Sequence, residues 1–208
     1  MSPRAQLRRA ALGFRAHTGW AVVVGLAGPA GLPSVVCRRR LDLAPGRLRP
    51  DLYHAARALD LDQAAGLVRA GTEAAAAAAE RAVHDLVSEL AAAGARAPVS
   101  AVLTGTVRMP TALQAILASH ALLHAAEGAL FREALMAASE ASGMRVSAIP
   151  EREVRRLAGT ALELASEVLD ERLGAMGRAA GPPWRQDEKL AALAAWTALA
   201  GEEFRRAG

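Results

Sequence analysis

At 208 residues the chain has room for one medium domain or two very small ones, and a hydrophobic share of 52% excludes disorder over most of its length. One cysteine, Cys37, excludes an internal disulfide framework, while a net charge of +4 favours anionic partners without making the chain a polycation. The apolar run "WAVVVGLAGPAGLP" is interrupted by Gly and Pro and too short for a bilayer, so no membrane partner is expected and the cytoplasm is the expected compartment.

The opening "MSPRAQLRR" reads as a flexible basic arm over residues 1–9, ahead of a single domain over residues 10–205. Residues 10–27 read as two strands around a tight turn at His17, Thr18 and Gly19, where glycine supplies the backbone freedom. "VVCRRRLDL" is a third strand with one exposed side, and a loop-rich connection with one helical turn at 51–58 follows. Residues 62–94 form a long helix, capped by Asp62 and ended by Gly94, whose six alanines at 74–79 favour helix and permit close packing. "APVSAVLTGTV", 97–107, is a fourth strand, apolar enough to be buried on both faces. A helix starting at 111 or 118 runs to 142 and stops at Gly143, and "MRVSAIP" is a fifth strand closed by Pro150. Residues 151–179 are helical with a break expected at Gly159 or Gly174; "GPPW" interrupts the chain, with Trp184 docking on the core, and "RQDEKLAALAAWTALAGEEF" is the last helix. Strands joined by short turns are antiparallel, and strands separated by helices are parallel through right-handed crossovers. The expected fold class is therefore α/β: a mixed five-stranded sheet, a three-strand antiparallel meander followed by helix-separated parallel strands, with helices on both faces.

Within "ASHALLHAAEGALF", a helix advancing about 100° per residue puts His124 about 40° from His120 and Glu127 about 20° to the other side. The three continue into the stripe of Phe131 and Leu135, so they are expected to face inward, where unsatisfied polar groups are costly. Three readings are open: a metal site on His120, His124 and Glu127, a metal-free polar network, or a set of satisfied core groups. Zinc or another divalent transition metal suits such a mixture and is the one cofactor the stripe admits. Strand alternation puts Gly13, Arg15 and His17 on one face of the first strand. If the first and fourth strands are central neighbours, Arg15, His17, Thr104, Thr106 and Arg108 gather at the carboxyl ends of the sheet, where ligands of open α/β sheets bind. His120, His124, Asp187 and Lys189 are expected to approach the same pocket, with His54 reaching it from the loop after the third strand and His84 left on the surface. P-loop, dinucleotide-binding, G-x-S-x-G and zinc-finger signatures are absent.

The element order resembles the ribonuclease H-like superfamily, most closely its Holliday-junction-resolvase branch. "LGFRAHTGWAVV" is similar to the opening of the resolvases, and "DEKLAALAAW" to their closing helix. The resemblance implies the same fold and a nucleic-acid partner. It also implies carboxylates that hold two divalent cations. This chain departs there: Arg15 stands at the first-strand aspartate position, Thr104 and Gly105 stand where the fourth strand offers a glutamate, and only Asp187 and Glu188 remain on the closing helix, beside Lys189.

The leading expectation is a divergent member that binds a phosphate-bearing ligand, nucleic acid or a nucleotide, without standard two-metal catalysis; Arg15, His17, Thr104, Arg108 and Lys189 are its ligand-binding candidates. One alternative is a hydrolase or nuclease in which His120, His124, Glu127 and Asp187 carry out acid–base chemistry on a phosphodiester, with or without one metal. A second is a scaffold or oligomerisation protein using the alanine-rich helix, and a homodimer is left open.

Overall fold

The computed structural model describes residues 7–46 and 48–207, the side chains of residues 206 and 207 excepted. Its strands are β1 (Arg8–His17), β2 (Trp20–Ala27), β3 (Ser34–Asp42), β4 (Ala95–Thr104) and β5 (Arg145–Pro150). They form one mixed sheet in the order β3-β2-β1-β4-β5. The β1–β2 and β2–β3 pairs are antiparallel and the β1–β4 and β4–β5 pairs parallel, as the connection lengths require. The helices are α1 (Leu52–Ala56), α2 (Leu61–Ala92), α3 (Leu113–Leu117), α4 (His120–Ala141), α5 (Val154–Leu162), α6 (Ser166–Ala180) and α7 (Gln186–Ala207).

Period-two alternation divides the strands between two cores. Leu12 and Phe14 of β1, Val23 of β2 and Val102 of β4 join Leu52, Val83, Leu86 and Phe131, so α1, α2 and α4 cover one face. Val22, Val24, Val99, Ala101 and Leu103 point the other way, toward α5, α6 and α7. Between Leu190 and Ala200 almost every α7 residue is buried, as expected of a helix that is apolar all round. Trp196 is its anchor, fully buried with its indole N–H donating to the Ala30 carbonyl at 2.7 Å. Alpha-7 approaches β1 so closely that a Cβ at Gly13 would stand 2.0 Å from the Ala191 carbonyl oxygen. Glycine is a packing requirement there. Trp184 packs on the same core, against Gly177, and Arg38 ties the preceding segment to β3 by donating to the Pro182 and Pro183 carbonyls.

Several local expectations are corrected. Beta-1 begins at Arg8, so Arg8 and Arg9 belong to the sheet and not to an arm; residues 1–6 of that arm lie outside the described residues. Asp60, not Asp62, caps α2 by accepting from the Gln63 N–H at 2.9 Å, because the helix starts one residue before Asp62. Gly94 ends it in the left-handed conformation at φ 72°. Beta-4 stops at Thr104, where its partner β5 ends at Pro150, leaving Gly105, Thr106 and Arg108 in an open segment. The break in 151–179 falls at Glu163, which takes φ 54°, rather than at a glycine. Gly159 contributes indirectly: its carbonyl accepts the returning Leu164 N–H at 3.0 Å, and a Cβ there would sit 3.2 Å from the Leu164 oxygen.

Candidate functional site at the carboxyl edge of the sheet

The β1–β2 hairpin turns on two residues, Thr18 and Gly19, with Gly19 at φ 84°. That register sets His17 opposite Trp20, and the two rings stack at 4.0 Å with 12° between their planes. Val22 on β2 pairs with Arg40 of β3, whose guanidinium stands 3.8 Å from the Trp20 ring centroid, a cation–π contact. Two residues back on the same face, Arg15 projects from β1 toward the start of α7. Its Nε and Nη2 donate to the two oxygens of Glu151 at 3.0 and 2.8 Å, and its Nη1 donates to Asp187. The Asp187 carboxylate also lies 2.9 Å from His17 Nε2. One guanidinium thus joins the end of β5 to the beginning of α7 across the end of β1.

The electrostatics follow from these contacts. The Glu151 hydrogen bond, working against desolvation and aided by the Glu151 and Asp187 charges, raises Arg15 above its ordinary range. Burial disfavours ionised Asp187, but hydrogen bonds and charge from His17 and Arg15 prevail and hold it below the usual carboxylate range. Arg15 is therefore a cation already matched by two anions.

Two open grooves flank the network. One, of about 370 Å³, is lined by Trp20, Arg38, Arg39, Arg40, Arg185 and Asp187 among others. The other, of about 500 Å³, runs past Thr104, Gly105, Thr106, Glu151, Arg152 and Gln186. Behind the second groove stands Arg132 of α4. Its guanidinium folds over Gly128 and stops 3.6 Å from the Cβ position of Gly105. Half-buried, it makes no hydrogen bond or ion pair with any described residue, and desolvation pulls it below its ordinary range although Glu133 and Glu151 raise it.

His120, His124 and Glu127 lie on the opposite face of the sheet from Arg15, at the α1–α4 contact, so the single convergent pocket does not form. The reason is the pleat: Arg15 shares the α7-facing side with Gly13, whereas α4 packs on the side of Leu12 and Phe14. The expectation that both histidines face inward is also corrected. Glu127 is buried at 3%, but His120 and His124, earlier on the same stripe, are exposed, while Leu123 and Ala126 beside them are buried. His54 completes this second group. Its backbone N–H and its Nδ1 both meet Oε1 of Glu127, at 3.2 and 2.7 Å, while His120 and His124 bring their Nε2 atoms to 3.2 Å.

Of the residues singled out from the sequence, Arg15, His17 and Asp187 meet, and Thr104 borders the groove beside them. Arg108 lies exposed on the segment after β4, and Lys189 points to solvent from α7. Sequence reasoning missed Glu151, Trp20, Arg40 and Arg132. Glu151 had a usable signal: it follows Pro150, the closing residue of a strand whose neighbour is β4, and so belongs to the same sheet edge as Thr104. Arg132 had none, because its helical position points away from the histidine stripe and only the length of the side chain brings it to Gly105.

No protein-family model matches the chain, and no curated protein is significantly similar to it in sequence. Solved structures do match. Thermus thermophilus RuvC aligns over 94% of this chain and 96% of its own, with a TM-score of 0.54 and 11% identity. T. thermophilus RuvC in complex with Holliday junction substrate aligns over 96% of both chains, with a TM-score of 0.49 and 12% identity. The fold is thus ribonuclease H-like, of the resolvase kind, as the order of elements implied. Among the described residues no helix is long and apolar enough to cross a membrane.

Proposed function

We propose that the protein binds a phosphate-bearing ligand, a nucleic acid, at the carboxyl edge of β1 and β4, and does so without two-metal catalysis. The observation that carries this reading is Arg15. The resemblance of "LGFRAHTGWAVV" to the resolvase opening implies that it replaces their first aspartate, and it engages both nearby carboxylates, Glu151 and Asp187. Carboxylates bound to a guanidinium compete poorly as metal ligands: Arg15 occupies both oxygens of Glu151 and shares Oδ1 of Asp187 with His17, and its positive charge repels a cation from the same spot.

The surroundings suit phosphate. Arg132 is a half-buried guanidinium with no hydrogen bond or ion pair to any described residue, next to the Thr104 and Thr106 groove. Arg40 and Arg185 line the groove on the other side, with Arg40 held over the Trp20 ring. Backbone phosphates in both grooves would release condensed counterions, which makes binding strongly salt-dependent. Arg15 and Asp187 then act as the rigid floor between the two grooves, and a cytoplasmic nucleic acid is the fitting partner.

The test is anisotropy with labelled single-stranded, duplex and four-way-junction DNA and with RNA, in the presence of a chelator, over a range of salt. Binding at low salt should weaken linearly in log–log form as salt rises. Arg132→Ala should cost about tenfold or more, the scale of one charge-assisted hydrogen bond. Absence of binding at the lowest salt, or binding that ignores both Arg132→Ala and Arg40→Ala, defeats the reading.

A further inference from the structure

The cluster on the other face of the sheet is not used by the phosphate-binding reading. It draws on two elements, His54 from α1 and His120 with His124 from the start of α4. One ligand atom from each of the three lies within 4.8 Å of the other two. The Nε2 atoms of His120 and His124 stand 3.2 Å apart. Two nitrogens bound to one tetrahedral zinc at about 2.0–2.1 Å are separated by about 3.3–3.4 Å, so this pair already has coordination spacing.

The second feature is the carboxylate behind the rings. Glu127 is 3% exposed, and its Oε1 receives both the Nδ1 and the backbone N–H of His54. Oε1 accepts from the backbone N–H and from Nδ1, which leaves Nε2 as the ring nitrogen available to a ligand. The other oxygen, Oε2, faces Nδ1 of His124 at 3.8 Å. A carboxylate that fixes the tautomer of metal-binding imidazoles through their outer nitrogens is the recurring support of histidine metal sites. Here one buried carboxylate faces the outer nitrogens of two imidazoles. The three ring centroids lie 4.6 to 5.3 Å apart and two of the rings are solvent-exposed. The His120 and His124 Nε2 atoms are at hydrogen-bonding distance, and a cation can take the place of the proton they would share.

We propose that His54, His120 and His124 bind one divalent transition-metal ion of the zinc class, with Glu127 as the positioning carboxylate. Borderline-soft imidazole nitrogens select zinc, cobalt, nickel or copper over magnesium and calcium. The exposed side of His120 and His124 leaves one coordination position open to water or to an anionic ligand. The ion adds to the His54–Glu127 hydrogen bonds a second tie between α1 and the first turns of α4.

The experiment uses the full chain, made without a histidine tag and stripped by chelation, titrated with zinc chloride by calorimetry and against a chromophoric chelator. One equivalent should bind with micromolar affinity or tighter and raise the melting temperature. Glu127→Gln should weaken binding by roughly 10–100-fold, and His120→Ala or His124→Ala by more. His84→Ala, on the exposed surface of α2, should bind as the wild type does. Cobalt-loaded protein should show the visible absorption of a four-coordinate site, lost in His124→Ala. Because His120 and His124 are exposed, those variants keep the fold even if Glu127→Gln does not. Failure to bind an equivalent of zinc, or undiminished binding in both His120→Ala and His124→Ala, overturns the proposal. Neither outcome bears on the phosphate site, which is tested with chelator present.

Discussion

Replacing Gly13 by alanine tests how the sheet edge is built. The added Cβ would stand 2.0 Å from the Ala191 carbonyl oxygen and 2.4 Å from the Ala195 nitrogen, both backbone atoms of a buried helix. Real Cβ contacts essentially never fall below 3.0 Å, so α7 would have to retreat by at least about 1 Å. A gap of that size forfeits about a quarter to a half of the dispersion energy of the atoms facing it, here including Trp196 and the alanines around it. Overpacking typically costs about 1–3 kcal/mol, and a backbone-on-backbone clash belongs at the upper end. For a chain of this length about 3 kcal/mol corresponds to a fall of about 6–12 °C in melting temperature. The same retreat moves Asp187, one turn before Ala191, away from Arg15 and His17. Differential scanning calorimetry provides the measurement, with Gly31→Ala as control, since nothing lies within 4 Å of a Cβ there. If Gly13→Ala melts within about 2 °C of wild type, the close approach is not a constraint and the argument for it fails.

Three further outcomes are expected. Gly66→Ala, in the interior of α2 with open space at its Cβ, should stabilise by about 0.5–1 kcal/mol and raise the melting temperature. Asp187→Asn should be less stable than wild type at pH 7 by up to about 1 kcal/mol, the scale of a partly exposed ion pair. With the native Asp187 carboxyl held below its ordinary value, its contribution is fully present above about pH 4 and is lost as pH falls through the lower native value. The two melting curves should therefore converge in acid, and a gap that persists at the lowest pH contradicts the assignment. The Cys37 thiol, pushed up to about 11 chiefly by burial, should react slowly with a disulfide reagent at neutral pH in the native protein and rapidly in denaturant. Equal rates in both would show that the native sheet, which pairs Cys37 with Gly25 of β2, does not shield the thiol.

Periodicity in the chain was enough to specify strands, helices and their order, because alternation at two and at 3.6 residues reports burial directly. The apolar run of β4, the meander before it and the glycine at the hairpin turn each state their local conformation without help from the rest of the molecule. Connection lengths then decided which strand pairs are parallel. Boundaries were less legible where a neighbour sets them. Beta-4 ends where β5 ends, and the α5–α6 break follows the hydrogen bond from Leu164 to Gly159 and not the glycine itself.

Which side chains share a site was decided by tertiary structure. Arg15 and His17 were placed together by alternation alone, and that is local. Their partners Glu151 and Asp187 are 136 and 172 residues from Arg15 along the chain, a separation that no periodic pattern spans. The histidine stripe misled for the same reason: helical spacing reports that His120, His124 and Glu127 share a side but not which part of that side the neighbouring elements cover. Glu127 is therefore buried while both histidines are exposed. His54 reaches them because α1 packs between α2, where Leu52 lies against Gly71, and α4, where its imidazole meets the Glu127 carboxylate. Local conformation depends on the nearest few residues, whereas a constellation depends on the pleat and the packing of distant elements, which exist only once the chain has folded.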